Sequence, residues 1–263
     1  MGILNVTPDS FSDGGRFTDA SNAIAAGIAM VEQGAAIVDV GGESTRPGSA
    51  PVSVQEEIDR VVPVVDGLAK AGVRVSIDTR RARTMHAALG AGAVIVNDVS
   101  ALRFDSCAAR VVARAGCPVI LMHMRGTPET MVSLARYDDV PAEVAAELAE
   151  RVAFAEGVGV ERQQIALDPG IGFAKTGSHN IAMIRGLKLL TNTAQPVVVG
   201  VSRKAFIGRL SGVSDPAARV AGSIAAGLCA LSQGAAVLRV HDVAETVRAV
   251  RVWQALAPLA EVV

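Results

Sequence analysis

Short apolar runs rich in Val and Ile recur along the chain, and an Ala-rich amphipathic stretch follows each of them. Such runs, bounded by turn residues, predict strands, while apolar positions three and four residues apart predict helices. The predicted strands are residues 2–5, 36–40, 74–78, 94–98, 119–123, 165–168, 197–201 and 237–241. The predicted helices are residues 21–33, 53–70, 81–89, 105–115, 143–158, 179–190, 217–232 and 243–256. Continuous rather than alternating apolar strands indicate a parallel sheet that is covered on both faces.

Strands and helices alternate without a linker, which predicts one α/β domain over residues 1–263, a single (β/α)8 TIM barrel. Nearly every predicted strand ends in polar side chains: Asn5, Asp39, Asp78, Asn97, Asp98, His123, Asp168, residues 202–204, Arg239 and His241. Barrel enzymes build their active sites at the carboxyl ends of the strands. These side chains therefore predict one converging site.

Composition narrows the class of protein. Lys and Arg number 25 against 26 Asp and Glu, so the basic surface of a nucleic-acid binder is not expected. No apolar run reaches the roughly 18–20 residues of a membrane span. The three cysteines are widely spaced, as in proteins of a reducing compartment. We therefore expect a cytoplasmic enzyme that acts on small molecules, without nucleic-acid or membrane partners.

Two long loops follow the first two predicted strands. Residues 5–15 read NVTPDSFSDGG, and residues 41–48 read GGESTRPG. Both are rich in Gly, Ser or Pro, so we expect them to be mobile and to close over a ligand. In the second loop, the guanidinium of Arg46 can clamp an anion.

Acids and an amide end the third, fourth and sixth predicted strands: Asp78, Asn97, Asp98 and Asp168. Buried carboxylates need donors for their oxygens. A ligand with adjacent amino and ring N–H groups supplies such donors, whereas a phosphate does not. The pattern predicts a pocket for a guanidine-like heterocycle of the pterin or guanine type.

The last two predicted strands end in cations and a hydroxyl. Arg239 and His241 are two residues apart, so they share one face of a strand. In a closed barrel, the eighth strand lies beside the first, which places both near Asn5. Barrels often bind phosphate with the loops after strands seven and eight. The pattern predicts an anion site where the amide oxygen of Asn5 suits Mg²⁺, an ion that takes few protein ligands.

With these motifs, the chain resembles the dihydropteroate synthase family from end to end. The matching stretches are residues 2–15, 41–48, 76–79, 97–100, 121–128, 167–173, 202–204 and 239–242. The resemblance implies condensation of 6-hydroxymethyl-7,8-dihydropterin diphosphate with p-aminobenzoate to give 7,8-dihydropteroate and pyrophosphate. It also implies Mg²⁺ as cofactor, a cytoplasmic sulfonamide target and a possible homodimer through the seventh or eighth helix.

The resemblance assigns roles to individual residues. It implies that the pterin pocket is Asp78, Asn97, Asp168 and Lys204. The implied pyrophosphate and Mg²⁺ contacts are Asn5, Thr45, Arg239 and His241. The implied p-aminobenzoate contacts are Phe11, Thr45, Arg46, Pro47, Phe173, Ser202 and Lys204. We expect Asp13, Arg46, Lys204, Arg239 and His241 to act in catalysis, with Asp13 stabilising a cationic pterin after the diphosphate departs.

Two other functions stay open at this point. A barrel that binds methyltetrahydrofolate and passes its methyl group to cobalamin would share the pterin pocket, yet it would have no use for an anion site. A catalytically silent barrel could bind pterin as a scaffold or regulator, but it would be expected to lose a loop acid or Lys204. Pyrophosphate release that depends on both substrates separates the synthase from either alternative.

Overall fold

Eight short parallel strands form the centre of the structure, a computed structural model that describes residues 1–6, 16–43, 52–127 and 130–256. The strands are β1 (Gly2–Asn5), β2 (Val38–Gly41), β3 (Val75–Asp78), β4 (Ile95–Asp98), β5 (Val119–Met122), β6 (Ile165–Asp168), β7 (Val198–Val199) and β8 (Val237–Leu238). Each lies within one residue of a predicted strand or inside it. The predicted strand order along the chain is confirmed.

The strands pair in sequence order and close into a ring. β1 to β6 form one parallel sheet, and β7 pairs with β8. Bridges from Leu167 to Val197 and from Gly2 to Val240 connect these two sheets at both edges. At the second seam, the amide of Ile3 donates to the carbonyl of Val240 over 2.9 Å. The (β/α)8 barrel is therefore confirmed, with β8 beside β1.

Helices surround the barrel. They are α1 (Arg16–Glu32), α2 (Val54–Lys70), α3 (Ala82–Gly90), α4 (Ala108–Ala115), α5 (Val140–Val158), α6 (Gly177–Arg185), α7 (Lys188–Thr191), α8 (Ala205–Ser211), α9 (Val220–Ser232) and α10 (Val243–Leu256). Helix α2 illustrates their construction: the hydroxyl of Ser53 accepts from the amide of Glu56 and caps the first turn. Its buried residues Val61, Val64, Val65 and Leu68 fall on one face, which packs on the sheet.

Helix α1 begins five residues before the helix predicted at residues 21–33, and two further differences concern the number of helices. A single helix was predicted at residues 179–190, but the structure has two helices there, α6 and α7. Helix α6 ends just before Gly186. A Cβ added there would lie 2.5 Å from Pro141 Cγ, so the chain needs glycine for this close approach to α5. Helix α8 was not predicted because its seven residues are too few to display a helical period.

The layer between the barrel and its helices is apolar. Val38, Val75, Val96 and Val119 on β2 to β5 are fully buried in one hydrophobic core with the buried face of α2. Each buried side chain of this size contributes about 1.5–3 kcal/mol to folding. No helix in the described ranges is long and apolar enough to cross a membrane.

Candidate active site

A pocket opens at the carboxyl ends of the strands and has a volume of about 520 Å³ including the space open to solvent. Eight of the predicted site residues line it: Asp78, Asn97, Asp168, Phe173, Ser202, Lys204, Arg239 and His241. The apolar wall comes from Ile3, Val99, Met122 and Ile171. A pocket with an apolar wall and convergent polar groups suits one small organic ligand.

Asp168 ends β6 on the floor of this pocket and is 5% exposed. Its Oδ1 accepts from the amide of Gly170 over 2.7 Å, which is the one hydrogen bond to this carboxylate in the described part of the chain. A carboxylate accepts about four hydrogen bonds. Asp168 therefore retains acceptor capacity for a ligand, and burial raises its pKa.

Arg239 joins the predicted anion site to the predicted pterin pocket. Its Nη2 donates to Oδ2 of Asp78 over 2.7 Å, and its Nε donates to Oδ2 of Asp39 over 2.6 Å. The same oxygen of Asp39 accepts from the side-chain Nδ2 of Asn97 over 2.9 Å. The two predicted halves of the site therefore share one polar network.

Asp39 is a site residue to which sequence reasoning assigned no role. It is fully buried in β2, two residues before the end of the strand, where its side chain reaches both Arg239 and Asn97. Its place among the polar strand ends was visible in the sequence. Its partners lie 58 and 200 residues away along the chain, so only the closed barrel reveals the contact.

Burial raises the pKa of Asp78 to about 7, although the neighbouring Arg239 lowers it. For Arg239, burial lowers the pKa, but Asp39 and Asp78 outweigh it and raise the pKa overall. Arg239 therefore stays charged, whereas Asp78 titrates near neutral pH. Donors from a ligand favour the ionised form of such a carboxyl group.

His241 and Ser202 lie side by side at the β7–β8 end of the pocket. The hydroxyl oxygen of Ser202 lies 3.0 Å from Nδ1 of His241 and accepts from the His241 amide over 3.2 Å. Burial, with Arg203 and Arg239 nearby, lowers the pKa of His241 to about 4. At neutral pH, the imidazole without ligand is therefore neutral and offers hydrogen bonds rather than charge.

Lys204 and Phe173 form the outer wall. The ammonium nitrogen of Lys204 lies 4.5 Å from the centre of the Phe173 ring, a cation–π contact. Gly172 precedes the ring with φ of +84°, and a Cβ there would approach Cδ of Lys204 to 3.2 Å. The bend at Gly172 therefore brings the two side chains together.

Asn5 lies at the end of β1, opposite Gly41 in the sheet. A Cβ added at Gly41 would lie 3.7 Å from Oδ1 of Asn5 and 3.6 Å from Oδ2 of Asp78, so both oxygens face this glycine. The described residues contain no group of three or more His, Cys, Asp or Glu that could hold a metal. Asn5 is not among the residues that line the pocket, but its amide oxygen lies near Asp78, and such an oxygen would suit Mg²⁺ held mainly by phosphate and water.

Five predicted residues, Phe11, Asp13, Thr45, Arg46 and Pro47, lie outside the described ranges, as do residues 7–15 and 44–48 of the two loops that carry them. Asp98, the acid that ends β4, is described but is not among the residues that line the pocket. Its carboxylate accepts from the amides of Ser100 and Leu102 and from the Ser100 hydroxyl. Asp98 therefore orders the turn after β4, which corrects the expectation that it faces the ligand.

A family described as pterin binding enzyme matches residues 1–241. The dihydropteroate synthase of Escherichia coli K12 is 46% identical over 256 residues, which cover 97% of this chain and 90% of that protein. A solved structure of Xanthomonas albilineans dihydropteroate synthase with 4-aminobenzoic acid has a TM-score of 0.92 and 48% identity, covering 98% of this chain and 93% of that one. Another, in complex with 7,8-dihydropteroate, has a TM-score of 0.88 and 45% identity over 98% and 94% of the two chains.

The chain belongs to the pterin-binding enzyme family. Within that family, its whole length resembles the dihydropteroate synthases in sequence and in fold.

Proposed function

We propose that this protein is a dihydropteroate synthase, which joins 6-hydroxymethyl-7,8-dihydropterin diphosphate to p-aminobenzoate and releases pyrophosphate. The observation that carries the proposal is a single pocket in which buried acceptors and cations lie side by side. Asp78 and Asp168 supply the acceptors, and Lys204 and Arg239 supply the charge. The structures of the X. albilineans enzyme with 4-aminobenzoic acid and with 7,8-dihydropteroate support the same arylamine substrate and the same product here.

The pterin ring binds in the inner part of the pocket. Its amino group and ring N–H are donors, and they match the remaining acceptors of Asp168 and the carboxamide oxygen of Asn97. Asp78 contributes through Oδ1, because Oδ2 already accepts from Arg239. Apolar contacts from Ile171 and Met122 cover the faces of the ring.

The diphosphate lies at the cationic side. The charge of Arg239 and Lys204, with N–H donation from neutral His241, stabilises the charge that develops on the leaving oxygen. We propose that Asn5 holds Mg²⁺ there through its amide oxygen, and the bound ion would supply further positive charge to the diphosphate. Removal of divalent ions should therefore abolish turnover while binding of the hydroxymethyl pterin without diphosphate persists.

In the reaction, the bond between the exocyclic methylene carbon and the diphosphate oxygen breaks, and its electrons leave with pyrophosphate. The lone pair of the arylamine nitrogen forms the new carbon–nitrogen bond, and one amine proton is lost to water. The dihydropterin ring sustains positive charge at the methylene, so departure can precede attack. An arylamine is neutral at pH 7 and needs no strong base, so no histidine is required to take its proton beforehand.

The arylamine lies against Phe173, Ser202 and Lys204 at the mouth. Under the same proposal, the loop residues Phe11, Thr45, Arg46 and Pro47 complete its site, and Asp13 stabilises the cationic pterin. A sulfonamide presents the same arylamine with an acidic para substituent. We therefore expect inhibition by sulfonamides to compete with p-aminobenzoate and to require pyrophosphate and Mg²⁺. Tight sulfonamide binding to the protein alone would contradict this ordered binding.

One assay tests the proposed function: pyrophosphate release and dihydropteroate formation with both substrates, with each omitted in turn. We expect release only when both are present. The methyltransferase alternative predicts no release, with binding of methyltetrahydrofolate instead.

We also propose that the enzyme acts in the cytoplasm as a homodimer. Val252 and Leu256 on α10 are 60% and 79% exposed, which supports α10 as a contact, and analytical ultracentrifugation tests it.

A further inference from the structure

Lys175 is a buried lysine outside the pocket that holds the loop carrying Phe173. Only 8% of the surface of Lys175 is exposed. Its ammonium nitrogen lies 3.2 Å from the carbonyl oxygens of Gly170 and Phe173, and 2.9 Å from Nδ1 of His123. An ammonium group has three N–H donors. These three acceptors therefore use all of them.

The loop needs such support because its backbone is bent at alternate positions. Gly170 and Gly172 have φ of +66° and +84°, and Ala174 has φ of +47°. A residue other than glycine is strained at positive φ. Ala174 is nevertheless buried in this conformation at 2% exposure. Tertiary contacts, including those of Lys175, must therefore hold residues 170–175 in place.

His123 and Glu147 form a chain of polar contacts that ends at the ammonium group of Lys175. Nε2 of His123 lies 3.0 Å from Oε2 of Glu147, a carboxylate that only accepts. This contact assigns the imidazole proton to Nε2 and leaves the lone pair of Nδ1 toward Lys175. Burial lowers the pKa of His123 to about 4, consistent with the neutral ring. Arg125 donates from Nε to the other oxygen of Glu147 over 2.8 Å and fixes the end of the chain of contacts.

We propose that Lys175 is a positioning residue that places the Phe173 ring and thereby sets the affinity for the arylamine substrate. This inference rests on the proposed function, under which Phe173 contacts p-aminobenzoate. It extends that function to a side chain that does not line the pocket.

The pterin side of the pocket should depend less on Lys175. The turn at Asp168 and Gly170 has its own supports, since the His123 amide donates to the Asp168 carbonyl over 2.9 Å. The Gly170 amide also donates to the Asp168 carboxylate. A Cβ at Gly170 would come within 1.9 Å of the His123 carbonyl oxygen, so this turn is tightly packed on the end of β5. Loss of Lys175 should therefore displace Phe173 more than Asp168.

The protonation state of Lys175 gives a second readout. Ionisable groups surround it on every packed element: His123 after β5, Arg125 beyond it, Tyr137 before α5, Glu147 on α5, Asp168 on β6 and Lys204 before α8. Burial lowers the pKa of Lys175 to about 7. The neutral amine has two N–H donors for three acceptors, so one support is lost as pH rises. The KM for p-aminobenzoate should then rise through neutral pH.

The test compares the whole enzyme with Lys175→Met, which keeps the side-chain length but removes the donors. At pH 6.5, we expect the KM for p-aminobenzoate to rise about tenfold and the KM for the pterin diphosphate to change less than about threefold. In the wild type, the KM for p-aminobenzoate should rise about threefold or more from pH 6.5 to 8.5, and this rise should vanish in Lys175→Met. Titration of the substrates is common to both proteins and cancels in their ratio.

Thr191→Val is the matched control. It removes the hydrogen bond from the Thr191 hydroxyl to the Gln233 carbonyl, 2.7 Å long, at the opposite end of the barrel. It should leave both KM values unchanged. If Lys175→Met fails to fold, Glu147→Gln replaces it, with an expected rise of about threefold in the KM for p-aminobenzoate.

The outcomes separate the two proposals. A wild-type protein that forms no dihydropteroate overturns the proposed function. An active wild type whose variants change both KM values equally, or only kcat, overturns the positioning role of Lys175 and leaves the proposed function intact.

Discussion

Two buried carboxylates, Glu57 and Asp168, differ in the source of their hydrogen-bond donors. Glu57, on α2, is 1% exposed and accepts from the hydroxyls of Thr79 and Thr84 over 2.7 and 2.8 Å, and from Nη1 of Arg81 over 3.0 Å. Asp168 is nearly as buried, yet it accepts one described hydrogen bond, from Gly170. The protein satisfies Glu57 itself and leaves Asp168 for a ligand.

The comparison yields a physical criterion for the function of a buried acid. A carboxylate surrounded by protein donors stabilises the fold, because its desolvation is already offset. A carboxylate that faces a cavity with acceptors to spare favours the binding of a donor. The substitutions below test this difference.

Glu57→Gln should have a large effect, and the effect should fall on stability. The neutral amide places an N–H group against the hydroxyls of Thr79 and Thr84, which are themselves donors. It also removes one of the two carboxylates that pair with Arg81. We expect the free energy of unfolding to fall by about 3 kcal/mol. Urea unfolding followed by circular dichroism measures this loss. Calorimetry should show pterin affinity within about threefold of wild type, and a larger loss would mean that Glu57 also shapes the pocket.

Asp168→Asn should show the reverse pattern. The amide keeps the shape but turns one acceptor into a donor that faces a donor of the pterin ring. We expect a loss of about 2–4 kcal/mol in pterin binding. Stability should change by less than about 1 kcal/mol, since the remaining oxygen can still accept from Gly170. A pterin affinity within threefold of wild type in calorimetry would refute the assignment of Asp168 to the ring.

His241→Ala should act on the anion alone. His241 is paired with Ser202 and contacts neither Asp78 nor Asp168 by a described hydrogen bond. We expect pyrophosphate binding to weaken by about 1–2 kcal/mol, while the hydroxymethyl pterin binds as before. Equal loss for both ligands would place His241 in the ring site or in the fold.

The smallest expected effect is a pH dependence of pterin binding through Asp78. Its pKa is raised to about 7 by burial, so part of the ligand-free protein carries a neutral carboxyl group at neutral pH. Donors of the pterin favour the carboxylate, so binding releases protons and strengthens as pH rises through 7. We expect about threefold weaker binding at pH 6.5 than at pH 7.5. Calorimetry in buffers of different ionisation enthalpy measures the released protons, and Asp78→Asn should remove the dependence.

Much of the fold could be predicted because its pattern is local. β1, β6 and α10 begin and end where the sequence indicates, since apolar runs and helical periods are read over a few residues. α8 and the break at Gly186 were missed for the opposite reason. A seven-residue helix is held by the burial of Phe206 and Ile207 in their tertiary surroundings, and Gly186 is needed for the approach of Pro141.

The sequence by itself determined the barrel and the set of polar strand ends that could meet at its mouth. It could not separate Asp98 from Asp168, because both are acids at the end of an apolar strand. Only the structure showed that Asp98 accepts three hydrogen bonds from the turn after β4, whereas Asp168 accepts one described hydrogen bond and faces the pocket. It also decided that Asp39 joins Arg239 to Asn97. The physical reason is that conformation decides which donors reach a carboxylate. The turn after β4 directs the amides of Ser100 and Leu102 at Asp98, whereas ring closure brings the distant Arg239 and Asn97 to Asp39.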